Sequence, residues 1–177
     1  MNKDCNPYLY PYNNSNDMYN YQNPCWYNNP DNYLGYCRDC IDLRDYGPEP
    51  YVVNIEEATN QNYNYRLALW TGTHLQLTLM SINAREDIGL EMHPNVDQFI
   101  RIEEGEGLVM MGDSKDRLYF QQRVSANYVI LVPAGKWHNL INIGCTPLKL
   151  YSIYAPPEHP HGTIHKTKED DKMHHKI

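Results

Sequence analysis

The sequence predicts an all-β domain, an antiparallel sandwich or barrel, and three observations carry that expectation. Apolar and polar side chains alternate with period two through the central part of the chain, as in strands with one buried face. Short strand-like runs recur with turn residues between them, and no window of useful length joins helical periodicity to caps at both ends. Many short strands at such spacing pack as two sheets, because each strand has one face to bury.

Taken in order, Leu67 and Leu69 alternate with Ala68 and Trp70 in the first strand. Leu75, Leu77 and Leu79 alternate with Gln76, Thr78 and Met80 in the second. Further strands are expected at 88–93, 97–104, 107–112, 117–124, 127–132, 137–143 and 148–154. Between them lie Gly105-Glu106-Gly107, the Gly112–Asp116 stretch, Pro133-Ala134-Gly135 and the Gly144–Pro147 stretch, all of turn composition.

Composition divides the rest. Residues 1–48 open with a segment dominated by Tyr and Asn, with Pro at 7, 11, 24 and 30 and almost no aliphatic side chains. Such a segment cannot bury enough apolar area to offset its ordering entropy, so it reads as a disordered arm. Residues 49–157 are the expected β domain. Residues 158–177 form a charged tail in which His159, His161 and His165 are expected to be exposed, and His174 and His175 carry no assigned role.

A net charge of -7 without Lys/Arg clusters excludes a nucleic-acid-binding surface. No apolar run approaches membrane-spanning length and no signal-like start is present, so the chain is expected to be cytoplasmic. Five cysteines, with Cys37 and Cys40 in C-x-x-C spacing, lack the second pair or nearby histidines of a structural zinc site and read as isolated thiols.

Parity selects the polar residues that point inward. Glu91 and His93, two apart, share a face. Gln98 shares one with Ile100 and Ile102, which mark it as buried and turn Asp97 outward. His138 lies on the same face as Leu140 and Asn142, with Trp137 opposite. Tyr151 and Tyr154 face opposite sides, so at most one lines the interior. Phe99 and Arg101, with Leu90 and Met92, fall on the outer face, where an apolar patch predicts a homodimer.

The two segments resemble the paired motifs of the cupin superfamily. The first cupin motif runs Gly, five residues, His-x-His, three or four residues, Glu, six residues, Gly. Here Gly105 closes it, Gln98 holds the Glu position, His93 the second His and Glu91 the first. Pro133, Gly135, His138 and Asn142 match the second motif, while Arg85 and Asn127 stand where the two opening glycines would be.

The resemblance implies a single-domain jelly-roll β-barrel. It implies a divalent metal (Mn, Fe, Ni or Zn) held by Glu91, His93, Gln98 and His138, a ligand set with one negative charge like the family's own. It also implies a small-molecule ligand, a sugar, phosphosugar or small acid, with isomerase, epimerase or dioxygenase chemistry in which Glu91 doubles as a base. The alternative is a structural or surface-assembly protein, located in a spore coat or at the cell surface, since the Tyr/Asn arm is similar in composition to tyrosine-rich spore coat proteins.

Overall fold

The computed structural model describes residues 40–174. The expected disordered arm up to residue 39, with Cys5, Cys25 and Cys37, and also His175, lie outside the described residues. The chain runs α1 (Ile55–Gln61), β1 (Arg66–Thr71), β2 (Gln76–Ile82), β3 (Asp97–Glu104), β4 (Glu106–Gly112), β5 (Phe120–Ser125), β6 (Val129–Val132), β7 (Trp137–Asn142), β8 (Leu148–Ala155), β9 (Ile164–His165) and α2 (Lys168–His174).

The strands form a six-stranded sheet in the order β6-β3-β8-β2-β1-β9 and a three-stranded sheet in the order β5-β4-β7, with antiparallel pairing throughout. The expected closed barrel is instead a sandwich of two separate sheets among the described residues. One reason lies in the segment expected as a strand at 88–93, which makes only isolated bridges to β7, Asp87 to Ile141 and Glu91 to His138. Gly89 at φ 89° breaks its extended backbone, and Pro94 supplies no N–H to continue a ladder.

Arg85 and Asn127, which stand where the opening glycines of the two motifs would be, have φ of 68° and 72° and are the non-glycine residues with positive φ among those described. The backbone therefore keeps the left-handed turns that favour glycine there, while the sequence fills them with side chains that bear some strain.

The inward face of the large sheet is set by register. Arg66 pairs with Met80, Ala68 with Thr78, Thr78 with Ser152, and Gln76 with Tyr154, while Tyr154 and Ser152 pair across β3 with Gln98 and Ile100. At one end of the sandwich Ile82, Ile102, Val109, Val124, Leu140 and Leu148 form a continuous buried cluster. Each such side chain contributes about 1.5–3 kcal/mol by leaving water.

The outer face of β1 and β2 is covered by the stretch before them. Ile41, Leu43, Tyr46, Tyr51, Val53 and Ile55 pack against Leu67, Leu69 and Leu79. Residues 41–48, expected in the arm, thus belong to the folded unit. The α1 helix in this layer is also absent from the sequence reading. Its seven residues are too short to show periodicity, yet its cap is legible: Asn54 accepts from the Glu57 backbone N–H at 3.3 Å, with Glu56 and Glu57 in the first turn.

The expected tail is corrected too. β9 pairs with β1, and His159 and His165 are buried, leaving His161 exposed. Cys40 and Cys145 each belong to a disulfide, so neither is the isolated thiol expected. No helix among the described residues is long and apolar enough to cross a membrane.

Candidate metal centre

The site is assembled at the other end of the sandwich from two directions. β7 turns His138 inward beside Leu140 and Asn142, as parity requires, and the Glu91 bridge lays the 87–93 segment along β7. Two backbone hydrogen bonds fix that bridge, His138 N–H to Glu91 O at 2.9 Å and Glu91 N–H to His138 O at 3.0 Å. The Gly135 N–H donates to His93 O at 2.8 Å, which fastens the other end of the segment to the Pro133–Gly135 turn.

Glu91, His93 and His138 consequently present one ligand atom each, all within 4.8 Å of one another. Glu91 Oε1 lies 3.5 Å from His93 Nε2 and 3.4 Å from His138 Nε2. These separations are too long for good hydrogen bonds, and the three atoms are buried without hydrogen-bond partners.

The outer nitrogens explain the arrangement. His138 Nδ1 lies 3.0 Å from the Lys136 carbonyl, which can only accept, so Nδ1 carries the proton and Nε2 a lone pair. His93 Nδ1 lies 3.1 Å from Glu158 Oε1, with the same consequence. With both rings neutral, two imidazole lone pairs and a carboxylate oxygen face one another with no donor among them. Buried acceptors so arranged are satisfied by a cation, and outer-shell carbonyl and carboxylate partners of this kind orient metal-binding histidines. The donor set fits a borderline divalent metal.

Without a cation the imidazoles can instead take a proton at this point, so a metal and protons compete for the same atoms. The electrostatics give the direction of that competition. Burial alone would raise the Glu91 carboxyl, but the two imidazoles and the Arg66 guanidinium outweigh it and hold the group well below the usual carboxylate range. Burial depresses His93, yet Glu91 and Glu158 more than offset it and raise the imidazole above its ordinary value.

Gln98 is buried on β3 with Ile100 and Ile102, while Asp97 is exposed and accepts from the Ala134 N–H at 2.9 Å. The Gln98 Nε2 donates to Ser152 Oγ at 3.0 Å, and its Oε1 is buried without a partner. Its cross-strand partner Tyr154 packs edge-on against the His93 ring, with centroids 5.7 Å apart. Tyr154 is thus the inward member of the Tyr151/Tyr154 pair. Asn142 serves the fold and not the site, its Nδ2 donating to Ile82 O at 2.9 Å and to Thr146 O at 2.8 Å.

Sequence reasoning missed Glu158 and Arg66. Glu158 falls in the stretch read as tail, and nothing local indicates that it returns to His93. Arg66 is fully buried and bonds to Asp171 Oδ1 at 2.5 Å, which also lies 2.8 Å from His165 Nδ1. A charged residue opening an otherwise apolar strand was its only signal.

Residues 78–154 match the family described as Cupin domain. The uncharacterized protein YrkC of Bacillus subtilis (strain 168) is 66% identical over 128 residues, covering 72% of this chain and 69% of that protein. The uncharacterized protein L612 of Acanthamoeba polyphaga mimivirus is 45% identical over 115 residues, 64% of this chain and 70% of that one. The crystal structure of BH2720 from Bacillus halodurans is similar at 61% identity with a TM-score of 0.73, covering 74% of this chain and 99% of that chain. A Klebsiella pneumoniae protein with a double-stranded β-helix domain shares the fold alone, at 14% identity and a TM-score of 0.51, over 67% of this chain and all of that one.

Proposed function

The chain belongs to the cupin superfamily, and on that premise we propose that it binds a divalent metal through Glu91, His93 and His138, with Gln98 Oε1 as the fourth donor, and presents that metal to a small oxygenated molecule. The observation that carries the reading is the trio of buried acceptor atoms facing one another without a donor. A bound Mn, Fe, Ni or Zn supplies Lewis acidity toward a carbonyl, alkoxide or hydroxyl oxygen.

This chain's own residues do the rest. Glu158 and the Lys136 carbonyl hold the two imidazoles in the tautomer that points Nε2 inward. The burial of Tyr154, Gln98 and the two histidines keeps bulk water from the reacting oxygens. Glu91 is the carboxylate placed to accept a proton if an oxygen of it leaves the metal, as isomerase, epimerase or dioxygenase chemistry on a sugar, phosphosugar or small acid would use. Elemental analysis of the purified full chain tests the reading. One equivalent of a transition metal, lost in Glu91→Gln, supports it; wild type that takes up no divalent metal on titration overturns it.

One observation favours the surface-assembly alternative for location. Disulfides persist in oxidising compartments, and Cys40 and Cys145 are both disulfide-bonded, which speaks for a site outside the reducing cytoplasm. Alkylation of the protein taken from its native source, followed by mass spectrometry, decides it: modified Cys40 and Cys145 would place the chain in the cytoplasm. A homodimer through the outer face of β3 and β6 also belongs to this reading. Leu131 is 66% exposed beside Phe99, its partner in register. Light scattering that finds a monomer removes it.

A further inference from the structure

The stretch between β8 and β9 carries Glu158 to His93, and its own backbone is poor in groups that could hold it there. Pro156, Pro157 and Pro160 have no N–H to donate, and the stretch enters no strand before Ile164. A side chain of the large sheet fixes it instead. Gln76 Nε2 donates to His159 O at 2.8 Å, and Gln76 Oε1 accepts from the His159 N–H at 3.0 Å. One amide thus grips both backbone polar groups of one residue, as the facing residue of a neighbouring strand would.

The grip is rigid. Gln76 is fully buried on β2, and its Nε2 also donates to Thr71 Oγ1 at 2.9 Å, so both hydrogens of the amide and its oxygen are used. A buried polar network satisfied in this way rigidifies what it holds.

Two routes lead from Gln76 to the same imidazole. Across the sheet, Gln76 pairs in register with Tyr154. The His159 ring meets the Tyr154 ring edge-on, with centroids 5.0 Å apart, and Tyr154 meets His93 edge-on at 5.7 Å. Along the chain, the residue before His159 is Glu158, whose Oε1 lies 3.1 Å from His93 Nδ1. His93 is therefore bracketed, its ring against Tyr154 and its Nδ1 against Glu158, and Gln76 stands beside both. A carboxylate holds a ring nitrogen only at hydrogen-bond distance, so a backbone displacement of about 1 Å at His159 would release His93.

Resting on the metal reading above, we propose that Gln76 is a positioning residue for that centre. By clamping His159 it sets the Glu158 carboxylate on His93 Nδ1, and so fixes the direction in which His93 Nε2 presents its lone pair. Gln76 is not itself a donor to the metal. It acts through Glu158, which distinguishes it from a residue that only ties the C-terminal segment to the sheet.

Zinc binding to the full chain, stripped of metal and titrated in competition with a chelator, tests this as a double-mutant cycle. Gln76→Met keeps the side-chain volume and loses the bonds to His159 and Thr71. It should weaken zinc binding about tenfold, as Glu158→Gln does, and the double variant should also lose only about tenfold. Leu140→Ala, whose loss of stability comes from the core, should stay within about twofold of wild type. Wild-type affinity in either single variant, or the product of the two losses in the double variant, overturns the proposal. Should Gln76→Met fail to fold, Gln76→Asn, which withdraws the same groups by one methylene, decides by the same comparison. If wild type takes up no divalent metal, the metal reading fails by itself, and the metal-free chain still decides the positioning of His93. The 15N signals of its ring nitrogens should move in Glu158→Gln and move the same way in Gln76→Met. Signals that keep their wild-type positions in Gln76→Met overturn it.

Discussion

The two ends of the sandwich interior are built from the same strands and differ in what their side chains leave unsatisfied. At one end Leu140, Val124 and Leu148 close in so tightly that a Cβ on Gly107 would come within 2.9 Å of Leu140 Cδ1. Nothing there needs a partner beyond its apolar neighbours. At the other end, a single step of two residues along β7 replaces Leu140 with His138, and β3 and β8 replace the pair Ile102 and Leu150 with the pair Gln98 and Tyr154. That end retains buried polar atoms that the chain itself does not satisfy. One end thus stores stability and the other, on the proposed reading, stores binding capacity, and substitutions separate the two.

The largest contrast pairs Leu140→Ala with Glu91→Gln. Leu140→Ala should cost about 2–5 kcal/mol in urea denaturation, through lost burial and the cavity left behind, and leave metal affinity within about twofold. Glu91→Gln should lower metal affinity by more than about 100-fold in competition with a chelator, and shift the stability of the metal-free chain by less than about 1 kcal/mol. Equal stability losses in both would erase the distinction.

Glu158→Gln comes next. It keeps an acceptor near His93 Nδ1 but removes the charge, so metal affinity should fall about tenfold with little change in denaturation midpoint. An unchanged affinity would show that Glu158 only packs.

A pH comparison supplies a control outside both ends. Asp45, in the outer layer, accepts from Thr71 Oγ1 at 2.6 Å, the Gly162 N–H at 2.9 Å and the Gly47 N–H at 3.0 Å. Burial pushes this carboxyl up, but those hydrogen bonds and His161 outweigh it and hold it below the usual range. A folded-state value below the unfolded one means stability present above the unfolded value and lost as pH falls through the folded one. Asp45→Asn should therefore cost about 1 kcal/mol at pH 7. Its deficit should shrink as pH falls below about 4. A deficit that does not change with pH would assign the effect to geometry instead of charge.

The smallest effects sharpen the register. On the proposed reading, Gln98→Glu adds a second carboxylate to the metal donors and should tighten metal binding several-fold. Asp97→Asn should leave affinity unchanged and cost less than about 1 kcal/mol through its weakened bond to the Ala134 N–H. Loss of metal binding in Asp97→Asn alone would mean that β3 presents the other face.

Much of this architecture follows from local chemistry. Alternation in Gln98-Phe99-Ile100-Arg101-Ile102 settles which side of β3 is buried, because a strand has no other way to sort apolar from polar. The same holds for His138, Leu140 and Asn142 on β7. Turn composition located the turns at Gly105 and Gly135, and the resemblance to the cupin motifs put Arg85 and Asn127 where opening glycines would stand; that both are left-handed is seen only in the structure. Periodicity cannot report a helix of seven residues, and so α1 escaped it, although Asn54 and Glu57 announced its start.

Other features exist only in three dimensions. That the sheets stay separate depends on how far Gly89 and Pro94 let the 87–93 segment follow β7, a matter of hydrogen-bond geometry and not of composition. Glu158 reaches His93, and Asp171 reaches Arg66, across 65 and 105 positions of chain, the second a pairing of opposite charges in the dry interior. Sequence patterns carry the preferences of single segments for burial and for backbone conformation. Which distant charge completes which buried polar group is decided by packing, because only the folded chain sets the distances on which those interactions depend.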